Sequence, residues 1–239
     1  MNAPGDMRVE VLADARALAV RVAGWMVEKA GLGSEFSVAL AGGTTPRGLY
    51  ETLAGEPFRT QLDWARTYWF WGDERFVPAG APANNAGMAR TALLSHVPVP
   101  AGHIHPIQTG LADATAAALA YERTLRAFAS RRGADDGTLF DVTLLGLGED
   151  GHTASLFPAD PALAERELWV TCAHAPAGDA RITLTIPTLE RSRAIAFLVC
   201  GENKRAILQQ FLRGDASLPA THVHPSGSIT VFCDAGAHG

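Results

Sequence analysis

The chain has 239 residues, a net charge of −5 and 47% hydrophobic residues. These values leave ample material for one large α/β domain, or a domain with a small appendage, and argue against nucleic acid as the main partner. No apolar run nears the ~18 residues of a membrane span, and acids stand at Asp6 and Glu10 where a signal core would lie, so neither a membrane partner nor secretion is expected.

Residues 7–12 read as a short edge strand. An amphipathic helix over 13–30 follows, with Leu18, Val22, Trp25 and Met26 near one face and Gly31 as its stop. A compact apolar strand at 36–41 runs into the turn Gly42-Gly43-Thr44-Thr45. Pro46 then opens a helix carrying Leu49, Tyr50 and Leu53, at a position where its missing N–H costs nothing. A strand at 67–71 ends on Gly72-Asp73-Glu74-Arg75. Residues 78–85 form a turn-rich loop, 85–94 a helix, 97–107 an irregular stretch and 113–131 an amphipathic helix. Strand 140–145 leads into Gly146-Leu147-Gly148-Glu149-Asp150-Gly151-His152-Thr153. Strands at 168–173, 181–186 and 193–200, a helix over 202–212 and a strand at 228–233 complete the chain. Strands alternating with helices predict a parallel sheet covered on both faces, and the closer strand spacing over 168–200 suggests a small antiparallel addition. No repeat, low-complexity block or linker interrupts the chain, so residues 1–239 are expected to form a single domain.

Four places carry chemistry. At Gly42-Gly43-Thr44-Thr45-Pro46 a strand, a glycine turn and a helix N-terminus make a cradle for an anion, with two hydroxyls added. It is neither a Walker loop nor a dinucleotide fingerprint, because no Gly-Lys-Ser/Thr follows and the glycines fall at 42, 43 and 48; an ordinary turn with Thr45 as N-cap has the same spacing. Asp73, Glu74 and Arg75 at a strand end supply two acids and an anion clamp, or else a salt-bridged loop. Asp150 and His152 lie two residues apart where a helix is expected to start near Thr153; a helix N-terminus disfavours the imidazolium and keeps a histidine neutral, the state a general base needs. Arg181 and Lys204 stand at element ends from which they could reach a phosphate, though taken alone each reads more readily as a solvated surface charge. Lys204 is one of only two lysines among 20 basic residues.

Other patterns carry less. The pairs His103/His105 and His222/His224 lack a nearby cysteine or acid pair to complete a metal set, so no metal is expected. Ser155 is not in a Gly-x-Ser-x-Gly elbow. Three cysteines in apolar contexts, Cys172, Cys200 and Cys233, fit a reduced, cytoplasmic protein.

In this order, and over nearly the whole chain, the motifs resemble the 6-phosphogluconolactonase family of the glucosamine-6-phosphate isomerase/6-phosphogluconolactonase superfamily. The residues that carry the likeness are Gly42 to Pro46, Gly72 to Pro78, Asn84-Asn85, the string Gly146 to Pro158, Arg181 to Thr185 and Gly201 to Lys204. The resemblance implies a Rossmann-like three-layer α/β/α fold, mainly parallel, with a small additional subdomain, similar to glucosamine-6-phosphate deaminase and ribose-5-phosphate isomerase. It implies hydrolysis of 6-phospho-D-glucono-1,5-lactone to 6-phospho-D-gluconate, the second step of the oxidative pentose phosphate pathway, without a cofactor. His152 would be the general base, with Asp150 and Asp73 orienting it or the water. The phosphate would lie on Gly42, Gly43, Thr44 and Thr45 with Arg181 and Lys204, while Arg75 and Asn85 take sugar hydroxyls or the product carboxylate. A monomer is expected, with an oligomer as the alternative, and the small-molecule lactone as partner. Two alternatives stand beside this reading: an amino-sugar phosphate deaminase or isomerase, and a non-catalytic sugar-phosphate-binding module. Related deaminases carry a glutamate five residues after the histidine for ring opening; Phe157 occupies that position here.

Overall fold

The computed structural model describes residues 7–133 and 137–239. Strands β1 (Met7–Leu12), β2 (Phe36–Leu40) and β3 (Thr67–Trp71) belong to a six-stranded sheet, and β4 (Asp73–Arg75) to a second sheet. β5 (Phe140–Leu145) returns to the first; β6 (Val170–His174) and β7 (Ala180–Leu184) join the second; β8 (Ser192–Val199) and β9 (Ser228–Asp234) complete the first. The large sheet has the order β1-β9-β8-β5-β2-β3 and is parallel throughout. The small one, β4-β7-β6, is antiparallel.

Burial explains the division. Every residue of β2 and β5 is buried, as is all of β8 except Arg193, which is the pattern of strands covered on both faces of a parallel sheet. β8, grouped by spacing with the antiparallel strands, therefore belongs beside β5. Its place in the small sheet is taken by β4, where the sequence suggested only a strand end. Gly72 passes the chain across: its N–H donates to Leu40 O at 2.9 Å in the large sheet, and its carbonyl accepts from Leu184 N at 2.9 Å in the small one.

The helices are α1 (Ala15–Ala30), α2 (Thr44–Ala54), α3 (Phe58–Gln61), α4 (Asn85–Ala89), α5 (Ala114–Arg132), α6 (Ile186–Leu189), α7 (Arg205–Leu212) and α8 (Ala235–His238). Asp14 and Asp113 cap α1 and α5 by accepting the N–H of Ala17 (2.8 Å) and Ala116 (2.7 Å). The segment expected to be one helix over 85–94 is α4 followed by a π-helical turn, Arg90–Leu94. Among the described residues no helix is long and apolar enough to cross a membrane.

The chain leaves β2 toward β3 on one side and reaches β5 on the other, so the strand order reverses between β2 and β5. Beyond the carboxyl ends of strands at such a switch point a crevice opens, because the flanking loops diverge. At the opposite end of the same strands, Asp141 holds the Ser37 N–H (2.8 Å) and the Arg132 guanidinium (2.7 Å) in a buried ion pair. Its acceptors are satisfied, as a buried carboxylate requires.

Candidate active site

A cleft of about 270 Å³ lies at this switch point, walled by the ends of β2, β5 and β8, the start of α2, and β4. Tyr50 of α2 finishes β2 there: its hydroxyl accepts from Ala41 N (3.0 Å) and donates to Ala41 O (2.7 Å). Tyr121 of α5 treats Trp71 at the end of β3 in the same way, at 2.7 and 2.9 Å. With those backbone groups satisfied, the chain turns through Gly43 at φ 102°, a conformation that favours glycine. Helix α2 begins at Thr44, with Gly43 as its N-cap. Thr45 is therefore not the cap; it lies in the first turn, whose N–H groups face the cleft end of the helix dipole.

The opposite wall is built on acids. Asp73 is buried, and its Oδ2 accepts the Ser155 hydroxyl at 2.6 Å. Asn85 Nδ2 donates to the Asp73 carbonyl at 3.0 Å. A side chain at Gly42 would place its Cβ 2.0 Å from Asn85 Oδ1, so only glycine lets the cradle and Asn85 come together. Glu74 is 0% exposed and accepts the N–H groups of Asn85 (2.7 Å), Ala86 (2.8 Å) and Arg75 (2.9 Å). It anchors the start of α4 beside the cleft. Burial pushes its carboxyl up to about 7 against the pull of those three donors.

His152 sits in the cleft with its side chain 32% exposed, and its Nδ1 is 2.5 Å from Asp150 Oδ1. The ring rests on Phe157, with centroids 4.6 Å apart. Burial pushes the Asp150 carboxyl up, but the backbone and ring N–H groups of His152 outweigh it and hold the group below the ordinary carboxylate value. The carboxylate therefore fixes the tautomer with Nδ1 protonated. The helix expected near Thr153 is absent. Gly151 and Ala154 have φ of 79° and 48°, Thr153 Oγ1 donates to Gly146 O (2.9 Å), and Leu156 N donates to Thr153 O (2.9 Å). These local bonds fold the segment into a tight loop, and neither Asp150 as a helix cap nor dipole control of His152 applies. Gly148 makes the pair possible, since a Cβ there would lie 2.1 Å from His152 Nδ1 and 2.6 Å from Asp150 Oδ1.

The cations divide. Lys204 lines the cleft from the turn Glu202–Lys204 after β8, and Arg75 lines it from β4. Arg181 does not line it; it stands directly opposite Arg75 in the β4–β7 register. Its side chain is only 16% exposed, its Nε is buried without a partner, and its ion pair with Asp179 is loose at 3.9 Å. Burial, then the Arg75 charge, holds its guanidinium below the ordinary value. Like charges facing across a strand pair are unfavourable unless an anion joins them. Thus Gly42, Gly43, Thr44, Thr45, Asp73, Arg75, Asn85, His152 and Lys204 share the cleft, with Asp150 hydrogen-bonded to the histidine and Arg181 opposite Arg75 on the neighbouring strand.

Cys200 also lines the cleft, but burial pushes its thiol up to about 11, so it stays protonated near neutrality. His103 and His105 stack on Tyr68 and Phe70. Among the described residues no group of three or more His, Cys, Asp or Glu is placed to hold a metal ion. A larger groove of about 1380 Å³, between α2, α4 and residues 106–110, carries neither the histidine–carboxylate pair nor the glycine cradle.

Residues 11–232 match the family described as glucosamine-6-phosphate isomerases/6-phosphogluconolactonase. The chain belongs to this family. It is 41% identical over 201 residues to the 6-phosphogluconolactonase of Synechocystis sp., covering 83% of this chain and 81% of that one. It is 37% identical to the Nostoc sp. 6-phosphogluconolactonase over 236 residues, 96% of each chain. A crystal structure described as devB protein superposes with a TM-score of 0.88 at 32% identity, covering 97% of this chain and 98% of its own. A monomeric glucosamine-6-phosphate deaminase shares the fold at a TM-score of 0.82 and 19% identity, and shows the fold alone.

Within this family fold, several working residues are invisible to motif reading. Tyr50 and Tyr121 look like helix core in sequence, and nothing local marks their hydroxyls as strand terminators. Ser155 shows no nucleophile pattern, and its role as donor to Asp73, 82 residues away in sequence, exists only in three dimensions.

Proposed function

We propose that this chain hydrolyses 6-phospho-D-glucono-1,5-lactone to 6-phospho-D-gluconate, the second step of the oxidative pentose phosphate pathway. The observation that carries the chemistry is the His152–Asp150 pair in a cleft that also holds an anion cradle. With Nδ1 donating to Asp150, Nε2 keeps its lone pair and takes a proton from water as the water oxygen attacks the lactone carbonyl. Backbone N–H groups of the glycine-rich loops stabilise the oxyanion. The tetrahedral intermediate then collapses, the ring oxygen leaves, and the proton held on His152 passes to it. The first turn of α2 and Lys204 hold the phosphate, with Arg181 adding charge from beside Arg75. Asp73 orients the water or a sugar hydroxyl, and Arg75 and Asn85 take further hydroxyls or the new carboxylate.

The scheme uses no metal or redox cofactor. The enzyme works as a monomer in the cytoplasm, a setting in keeping with its free Cys172, Cys200 and Cys233. Phe157 against the imidazole speaks against deamination: an apolar ring cannot move the proton that amino-sugar ring opening needs. The test is to generate the lactone in situ and follow acid release above its spontaneous hydrolysis. Parent protein accelerates release; His152→Ala lowers kcat by about two to four orders of magnitude. Activity of His152→Ala within about threefold of the parent removes the histidine from this role. Ammonia from glucosamine 6-phosphate would favour the deaminase instead.

A further inference from the structure

Ser155 lies inside the wall between the two sheets and is 1% exposed, out of reach of any substrate. Its hydroxyl donates to Asp73 Oδ2 at 2.6 Å, the short distance of a charge-assisted O–H···O⁻ bond. Its own N–H donates to Thr183 Oγ1 on β7 at 3.2 Å, and that hydroxyl donates in turn to Leu184 O at 3.1 Å. Ser155 belongs to the loop that carries His152, while Asp73 opens β4. One side chain thus joins the histidine loop to the carboxylate on the facing wall. Ala154, the residue before it, is held at φ 48°, the left-handed conformation that turns Ser155 inward.

Asp73 has few other restraints. Asn85 Nδ2 reaches the Asp73 carbonyl at 3.0 Å but its Oδ1 only at 3.5 Å. Without the Ser155 hydroxyl, the carboxylate keeps, among the described residues, one marginal hydrogen bond and the attraction of the Arg181 charge, and neither fixes its orientation in the cleft it lines.

We infer that Ser155 is a positioning residue: its hydroxyl aims the Asp73 carboxylate into the cleft and sets its distance from the His152 loop. This rests on the reading of Asp73 as a group that faces substrate or water. Ser155 touches no reacting atom and acts only through Asp73.

The test is a double-mutant cycle of the parent, Ser155→Ala, Asp73→Asn and the double variant, with kcat, KM and melting temperature measured for each. Ser155→Ala is expected to lower kcat about tenfold in the parent and by less than about twofold in the Asp73→Asn background. Ser155→Thr, which keeps the hydroxyl, recovers most of the loss. An equal fold-loss of kcat in both backgrounds overturns the inference, because Ser155 then acts independently of Asp73. Should Asp73→Asn leave kcat at the parent value, the role of Asp73 itself fails. The melting temperatures then decide on the link alone: non-additive shifts uphold it and additive shifts overturn it. If Ser155→Ala does not fold, Ser155→Cys, with a weaker donor of similar size, replaces it under the same criteria.

Discussion

At the scale of single residues, the cleft depends on two glycines chosen for what stands above them. A methyl at position 148 would collide with both His152 Nδ1 and Asp150 Oδ1. Gly148→Ala is therefore expected to lower kcat about a hundredfold, the usual cost of displacing a catalytic group by about 1 Å, while the melting temperature changes little. Kinetics and thermal melting on the same sample check this; a large fall in melting temperature would mean that the loop, not the pair, had been disrupted. Arg181 invites a second substitution. Its Nε is buried without a partner, and it stands opposite Arg75 with the acids Asp73, Asp179 and Glu74 near enough to act on its charge. Arg181→Ala should weaken binding of 6-phosphogluconate by roughly tenfold to a hundredfold, the range for a lost charge-assisted contact, and leave binding of unphosphorylated gluconate unchanged. Calorimetry with both ligands reads the difference; equal losses would show that Arg181 does not serve the phosphate.

At the scale of elements, two tyrosines from different helices end two neighbouring strands. Each hydroxyl both accepts from and donates to one backbone residue, Ala41 or Trp71. Burial pushes both phenols far above their ordinary pKa, so both remain donors at any working pH. This lets β2 and β3 stop in the buried interior and release the chain into the cradle and into Gly72. Tyr50→Phe leaves the N–H and carbonyl of Ala41 without that partner. It is expected to cost about 1–3 kcal/mol of unfolding free energy and to raise KM through the displaced cradle. Denaturant unfolding and steady-state kinetics measure the two effects. A stability change below about 0.5 kcal/mol would show that the strand end finds another partner.

At the scale of the whole molecule, the cleft joins two sheets, and Glu74 lies buried at their meeting. Its carboxyl titrates at about 7 in the folded protein against an ordinary value of 4.5. Between these values the unfolded chain has lost the proton that the folded protein keeps, so stability falls as pH rises. The Glu74 contribution is complete below about pH 4.5 and lost above about pH 7. Melting temperatures of Glu74→Gln across this window should show a flatter decline than the parent. Parallel curves would mean that the three N–H donors already hold Glu74 ionised throughout.

The sequence by itself determined most of the large sheet. Its central strands are continuous apolar runs and its long helices are amphipathic, signals that depend only on near neighbours, while the caps Asp14 and Asp113 became visible in the structure. It also marked the glycine cradle and the Asp150–His152 pair, because both are local. Tertiary structure decided what local pattern cannot encode. It moved β8 into the parallel sheet, because burial on both faces outweighs spacing, and made Asp73–Arg75 a strand of the small sheet. It replaced the expected helix after His152 with a loop, because bonds from Thr153 to Gly146 and from Ser155 to Thr183 compete with helical ones. And it set Ser155 on Asp73 and Arg181 opposite Arg75, contacts whose partners lie scores of residues away and meet only when the two sheets close on one another.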